Sequence, residues 1–254
     1  MRIGICKLCG LEKELKKSHV IGRAVFKKAL EGSTYSLRFD NKVKKVINDQ
    51  DQWSTYMLCG LCEHELNSKY ENYALNVLRN KLKSIKHKTR ENHFEIQGVD
   101  QEKLMLYLLS IIWRGIESEH DVFKKLNIFH EFPILKEFIK WSVKNDKIVR
   151  SECFDLKLSK LISNIGIDIG EISFISNFSC QVDKQKRIHY YIVFEGYKFE
   201  FFFMTGFGQK LNDIGVLKKN KRILKMPYVE VFSIPELKSQ ILEMLESKNI
   251  DLKT

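Results

Sequence analysis

The sequence predicts an α+β protein in two parts, a small cysteine-bearing module in residues 1–90 and a larger α+β domain in residues 91–254. Three observations lead to this prediction: two C-x-x-C pairs near the N-terminus, short strand-like segments joined by turn residues, and longer segments with helical periodicity. A chain of 254 residues is long enough for one or two domains with their own cores. Its 44% hydrophobic and 30% charged residues are typical of a soluble globular protein.

Membrane and secretory classes are excluded by the apolar runs. The longest, Leu104 to Trp113, is interrupted by Ser110 and followed by Arg114, well short of the roughly 20 residues that span a bilayer. The N-terminus, MRIGICKLCG, contains charge and cysteine from the start and no apolar signal segment. We therefore expect a cytoplasmic protein with no membrane partner.

Positive charge is concentrated in the first third of the chain. Residues 1–90 contain 19 basic and 9 acidic residues, a net of +10, whereas residues 91–254 contain 24 and 23, a net of +1. Such asymmetry is typical of a surface that binds a polyanion, most simply nucleic acid. The alternative is a solvated surface that serves only solubility.

Four of the six cysteines form the two pairs CKLC and CGLC, with 49 residues between Cys9 and Cys59. Disulfides are rare in a cytosolic chain, so paired C-x-x-C motifs favour a tetrathiolate zinc site made by Cys6, Cys9, Cys59 and Cys62. The alternatives are two redox pairs or buried thiols. Cys153 and Cys180 stand alone among apolar residues, and we expect both to be buried.

The module's other elements follow from local patterns. Residues 20–30 favour a short helix or a segment that changes from extended to helical, and residues 34–48 favour two strands that turn at Asp40-Asn41. Residues 59–83 begin with the second cysteine pair and continue as a helix. The basic, polar stretch 81–93 is the predicted linker between the two parts.

The second part alternates helix and strand patterns. Helices are predicted over 101–117, 133–145 and 235–249, the last with a proline at its start. Strands are predicted near 171–183, 188–194, 197–204 and 227–233, and Glu195-Gly196 joins two of them as a hairpin. The aromatic residues from Phe194 to Phe203 are more typical of a core than of a base-stacking surface.

The order CKLC, then KKSHVIGRAVF, then LCGLCEHELNSKYE resembles the HNH endonucleases of the ββα-metal class, in particular their zinc-supported branch. The resemblance covers about residues 4–80. It implies a treble-clef-like module in which a structural zinc fixes a β-hairpin against a helix, with one catalytic Mg²⁺ or Mn²⁺ between them. Three residues depart from the family pattern: Ser18 replaces a common metal-binding Asp, Gly22 stands near the usual Pro, and Glu63 replaces a common Asn.

The resemblance also implies roles for individual residues. His19 corresponds to the histidine that activates water, and Glu63 and Glu71 correspond to helix residues of the catalytic site. Glu63 is the first candidate ligand for the catalytic metal, and His64 and Asn67 are the further ones. The basic residues near His19 are the candidates for holding the phosphate backbone, namely Lys16, Lys17, Arg23, Lys27 and Lys28.

Elementary chemistry agrees with these roles but leaves alternatives. Glu63, Asn67 and Glu71 are spaced four residues apart, so an α-helix places them along one face, where oxygen ligands suit a hard cation. A neutral histidine can accept a proton from water near neutral pH. Alternatively, His19 is a structural histidine, and the two glutamates belong to a solvated helix face. Glu63 would then only interact favourably with the helix dipole in the first turn.

We therefore expect a phosphodiester-hydrolysing endonuclease that acts on DNA in preference to RNA. The family resemblance further implies a context such as bacterial or phage defence. Residues 91–254 would supply recognition, oligomerisation or binding of a regulatory protein. One alternative is a catalytically inactive zinc module that binds nucleic acid. The other is a partner-binding regulatory protein that uses the apolar hairpin at 190–203 as its docking edge.

Overall fold

The protein is an α+β structure, as the sequence predicts. The computed structural model describes residues 2–29, 36–40, 45–49, 53–149, 151–164, 175–176, 178–182, 188–203, 211, 213–235 and 237–238. The elements of its N-terminal part are, in chain order, β1 (Arg2–Ile5), β2 (Glu12–His19), α1 (Arg23–Ala29), β3 (Ser36–Asp40), β4 (Lys45–Asp49), β5 (Ser54–Cys59), α2 (Gly60–Leu66), a π-helical turn (Asn67–Glu71) and α3 (Asn72–Leu78).

Strands β1, β2 and β5 form an antiparallel sheet in that order. The loop between β1 and β2 closes tightly, because the Cys6 amide donates to the Leu11 carbonyl and Gly10 adopts φ +77°, which favours glycine. Strand β5 runs directly into α2. The sheet therefore carries the first cysteine pair next to β1 and the second pair at the junction of β5 and α2.

The predicted hairpin over 34–48 is confirmed in its strands, since β3 and β4 pair antiparallel with Asp40 opposite Lys45. The turn itself, including Asn41, lies outside the described residues.

The predicted helix after the second cysteine pair is also confirmed, but a π turn interrupts it. At this turn the Asn72 amide donates to the Asn67 carbonyl, five residues back. A π turn accommodates one extra residue in the helix. It allows the consecutive residues Tyr70 and Glu71 both to be buried.

The remaining elements are β6 (Lys86–Thr89), β7 (Phe94–Gln97), α4 (Gln101–Glu117), a 3-10 segment (Asp121–Glu131), α5 (Pro133–Lys144), a 3-10 turn (Ser151–Cys153), β8 (Phe154–Ile162), β9 (Ser179–Val182), β10 (Ile188–Phe194), β11 (Tyr197–Phe203), β12 (Ile223–Met226), β13 (Tyr228–Glu230) and a last 3-10 turn (Val231–Ser233). Strands β12, β7 and β6 form one sheet, and β13, β8, β11, β10 and β9 form another.

The segment predicted as a linker contains a strand instead. Strand β6 pairs with β7 at the edge of its sheet. Lysines are tolerated on an edge strand because one side of the strand faces solvent, so this strand appears in the sequence as a polar, basic stretch.

The predicted hairpin around Glu195-Gly196 is confirmed, with Phe194 opposite Tyr197. It cannot serve as a docking edge, because β11 pairs with β8 and β10 pairs with β9. Its aromatic side chains are buried almost throughout, as predicted for a core. Of the two isolated cysteines, Cys180 is exposed and Cys153 is half-buried, so the expectation that both are buried was wrong.

Helix α4 is the centre of the core. Fourteen of its residues are buried, among them Trp113 and Arg114. One hydrophobic cluster joins residues of the N-terminal part, such as Val20 and Tyr70, to residues of the later part, such as Phe199. The division at residue 90 stays a prediction.

Among the described residues, no helix is long and apolar enough to cross a membrane. The predicted C-terminal helix is helical at Pro235, Leu237 and Lys238, and its continuation lies outside the described residues.

Candidate functional site

The two cysteine pairs come together in space. The four sulfur atoms of Cys6, Cys9, Cys59 and Cys62 all lie within 4.8 Å of one another. A tetrahedral zinc with Zn–S bonds of about 2.3 Å requires sulfurs about 3.8 Å apart, so a small closure of this cluster completes the site. The cysteines are free thiols, and all except Cys9 are buried.

The electrostatics of this cluster also fit a metal. Burial, together with the neighbouring thiols, raises the pKa of the Cys62 thiol. A thiolate is therefore unfavourable here without a cation, and a bound divalent metal supplies the charge that stabilises it. The four cysteines can thus hold a structural metal such as zinc.

His19 is the last residue of β2 and lies opposite Ser54 at the start of β5. Its ring is half-buried. Its carbonyl oxygen accepts a hydrogen bond of 2.8 Å from Nη1 of Arg114, a fully buried residue of α4. The end of β2 is therefore fastened to the central helix.

Glu71 is buried at the end of the π turn, with 7% of its surface exposed. Its carboxylate packs against the backbone of Gly22, and a Cβ at position 22 would overlap that carboxylate. This contact explains why a proline is absent at position 22. The chain just after His19 and the helix after the second cysteine pair meet at this point.

Glu63 and Glu71 lie on the same side of the helix, separated along its axis by the π turn. In an uninterrupted α-helix, residues eight apart differ by about 80° around the axis, at about 100° per residue. The extra residue of the π turn reduces this difference to about 20°. Burial is the main cause that raises the pKa of Glu71, and the Glu63 carboxylate raises it further, while Arg114 and Arg79 oppose the shift.

The two carboxylates share an unusual feature. Oε2 of Glu63 and Oε2 of Glu71 are both buried, and neither has a hydrogen-bond partner. Buried carboxylate oxygens are normally paired, because desolvation without a partner costs free energy. Two such oxygens are donors of the kind that a hard divalent cation would satisfy.

The other two candidate ligands are less buried than Glu71. His64 is exposed, and Asn67 is half-buried. Within the ranges that the structure describes, the four cysteines form the only group of three or more His, Cys, Asp or Glu side chains close enough to hold a metal. His19, Glu63 and Glu71 therefore do not form a preassembled three-ligand site.

The predicted phosphate-binding residues differ in their surroundings. Lys16 and Lys17 are exposed on β2, and Arg23 and Lys27 are exposed on α1. Lys28 instead forms an ion pair of 3.0 Å with the buried carboxylate of Glu195. Its charge is thus partnered inside the protein.

Sequence reasoning missed two residues that support the site, Arg114 and Glu195. The sequence contained a signal for Arg114, because a charged residue near the end of an otherwise apolar helix requires buried partners. Glu195 had only a turn signal, since its partners Lys28 and Arg79 are more than a hundred residues away in the chain.

Comparisons with protein-family models, with curated proteins and with solved structures find no match to this chain.

Proposed function

We propose that the protein is a metal-dependent endonuclease of the HNH type that hydrolyses phosphodiester bonds of DNA. The observation that carries the proposal is the pair of buried, unpartnered carboxylate oxygens on Glu63 and Glu71. They lie on the helix that follows the cysteine cluster, and Glu71 touches the chain three residues after His19.

The donor set suits a hard cation such as Mg²⁺ or Mn²⁺. Magnesium keeps several waters and is commonly held by one or two carboxylates together with substrate phosphates, so a third protein ligand is not required. Glu63 and Glu71 would hold this ion, which would neutralise the negative charge that develops on the scissile phosphate. The cysteine cluster, made of soft thiolates, would hold zinc in a purely structural role.

His19 is the proposed general base. Its ring would accept a proton from the attacking water, and its backbone is held in place by Arg114. The exposed cations of β2 and α1, Lys16, Lys17, Arg23 and Lys27, would bind the flanking phosphates. The net charge of +10 over residues 1–90 favours the approach of any polyanion.

The test is cleavage of supercoiled plasmid by zinc-loaded, full-length protein with Mg²⁺, Mn²⁺ or neither. We expect cutting that needs the added metal and falls at least about 100-fold in His19→Ala, the usual contribution of a general base. Glu71→Gln should also lose activity. The matched control is His64→Ala, on the exposed side of the same helix, which should keep it.

Wild-type protein that contains zinc and binds DNA but never cuts would contradict the proposal. It would favour the second candidate, a zinc module that binds nucleic acid without catalysis. The observation in favour of that candidate is that His19, Glu63 and Glu71 do not form a three-ligand group.

A further inference from the structure

An open cleft of about 440 Å³ lies on the three-stranded sheet of the cysteine module. It is lined by residues of all three strands, namely Arg2, Glu14, Leu15, Lys16, Lys17 and Tyr56. The cleft is separate from the carboxylate pair. Its lining combines three cations with one aromatic ring.

Tyr56 is the central feature of the cleft. Tyr56 is 44% exposed, so part of its ring is open to solvent. The Arg2 guanidinium lies 5.2 Å from the centre of its ring, and Lys17 is its direct neighbour on β2. An exposed ring flanked by cations is the arrangement that stacks a base and holds its phosphates.

The two lysines of the cleft are not equivalent. Lys16 forms an exposed ion pair of 2.8 Å with Glu14. Among the described residues, Lys17 has no such acidic partner, so its charge is available to a ligand. Glu14, for its part, repels an anion.

The cleft also lies beside the proposed catalytic histidine. The pair Lys17–Tyr56 is two steps along the strands from the pair His19–Ser54. At about 3.3 Å per residue this is about 7 Å, a span that two stacked nucleotides at about 3.4 Å each would cover.

We propose that this cleft binds single-stranded nucleic acid, with one base stacked on Tyr56 and its phosphates held by Arg2 and Lys17. A single strand is required because the base faces of a duplex are already stacked on one another and cannot reach the ring. The binding rests on the cleft alone. Only the further step, that the strand continues to His19 for cleavage, rests on the proposed function.

The first experiment measures binding of fluorescent oligo-dT to full-length, zinc-loaded protein without added Mg²⁺. Tyr56→Ala should weaken binding by about 5- to 100-fold, the usual effect of losing one stacked base, whereas Tyr56→Phe should bind like the wild type. Trp141→Ala is the matched control, because Trp141 is 46% exposed on α5. Unchanged binding by Tyr56→Ala overturns the proposal, as does equally tight, Tyr56-dependent binding of a duplex of the same length.

The second experiment follows the dependence of binding on salt. Lys17→Gln should reduce the slope of log K against log salt by about 0.7, the value for one phosphate contact on a single strand. Lys124→Gln, on the exposed 3-10 segment, should leave the slope unchanged. Glu14→Gln should tighten binding. A polyglutamate competitor that displaces oligo-dT as effectively as unlabelled oligo-dT would mean a site for any polyanion, and would overturn the proposal.

A third measurement uses only the wild-type protein, so its outcome does not depend on whether a variant folds. Oligonucleotides with 5-bromouracil should crosslink to wild-type protein at Tyr56 under ultraviolet light, and crosslinks only at other residues would overturn the proposal. If binding depends on Tyr56 but the plasmid is not cleaved, the proposal of single-strand binding at this cleft stands and the proposed nuclease activity is contradicted. If the plasmid is cleaved but binding does not depend on Tyr56, the nuclease proposal stands and the binding proposal is overturned.

Discussion

At the residue scale, Glu71 is the most informative side chain of the site. It places a carboxylate in a buried position next to Glu63, where the ionised form is disfavoured. Arg114 and Arg79 reduce the free-energy cost of ionising Glu71 but do not cancel it, and Oε2 of Glu71 has no hydrogen-bond partner. Strongly perturbed carboxyl groups are more common at functional sites than elsewhere, which makes Glu71 the first residue of the candidate site to test.

We expect Glu71→Gln to stabilise the metal-free protein near pH 7. The folded-state pKa of Glu71 is raised, so the folded protein binds this proton up to a higher pH than the unfolded chain does. The free energy of unfolding of the wild type therefore falls as the pH rises from the pKa of this group in the unfolded chain, about 4.3, through its pKa in the folded protein. The gain in Glu71→Gln should be about 1.4 kcal/mol for each unit by which the pKa is raised.

The measurement is urea unfolding of both proteins from pH 4 to pH 8 without added Mg²⁺. The two curves should converge near pH 4, where the carboxyl group is protonated in both states. Glu65→Gln on the exposed side of the same helix should change stability by less than about 1 kcal/mol at any pH. A constant difference between wild type and Glu71→Gln across this range would show that Glu71 is not the titrating group.

Gly22 provides a second prediction at this scale. Gly22→Ala should destabilise the fold by about 1–3 kcal/mol, the usual cost of overpacking, because the new Cβ meets the Glu71 carboxylate. In a Glu71→Ala background the same change should cost much less. A double-mutant cycle by thermal unfolding measures this coupling, and equal costs in both backgrounds would place the clash elsewhere.

At the element scale, the cysteine cluster joins the β1–β2 loop to the junction of β5 and α2. At the N-terminus of α2, Cys59 makes no side-chain cap, but β5 pairs with β2 as far as Cys59, which lies opposite Leu15. A metal held by the four cysteines would add a second constraint on where the helix with Glu63 and Glu71 begins relative to the strand with His19.

We expect one zinc per chain by elemental analysis. Cys59→Ser should lose that zinc and melt at a lower temperature, because a structural site contributes its binding free energy to folding. The exposed Cys180 gives a matched control, and Cys180→Ser should retain the metal. Retention of a full equivalent of zinc by Cys59→Ser would contradict the tetrathiolate site.

The elements that sequence predicts well are those specified by local chemistry. The cysteine spacing and the turn at Glu195-Gly196 indicate their structures within a few residues. Strand β8 has the same kind of signal, since Phe154, Leu156 and Leu158 alternate with polar residues, and it was missed. The π turn has no local signal, because one extra residue leaves the apolar pattern nearly unchanged. It is nevertheless the feature that brings Glu71 into line with Glu63.

At the scale of the whole molecule, two buried charges connect the later part of the chain to the cysteine module. Arg114 of α4 donates to the carbonyl of His19, and Glu195 of the β10–β11 turn accepts from Arg79 and Lys28. Neither contact is predictable from local sequence, because the residues that they join are between 95 and 167 positions apart. The site thus depends on residues far outside the segment that carries the motif.

Glu195 stands in an unfavourable backbone conformation. It adopts φ +54° and is followed by Gly196 at φ +73°, a turn in which Asn-Gly is the preferred pair. A non-glycine residue in this left-handed region costs about 1–2 kcal/mol. The carboxylate offsets that cost, because the Glu195 side chain is 2% exposed and bridges two cations of the module.

These opposing effects make Glu195 a test of how the two parts are joined. Glu195→Asn suits the turn but is too short to reach both cations, whereas Glu195→Gln keeps the length and loses the charge. Because breaking a buried pair costs about 3–5 kcal/mol and these cations are partly exposed, we expect both variants to lose about 2 kcal/mol. Urea unfolding should show a smaller loss of stability for Glu195→Gln in an Arg79→Met background than in the wild-type background. If Glu195→Asn were instead more stable than the wild type, the turn and not the ion pairs would determine the choice of residue at position 195, and the later part of the chain would be joined to the module by the Arg114–His19 hydrogen bond and by apolar packing.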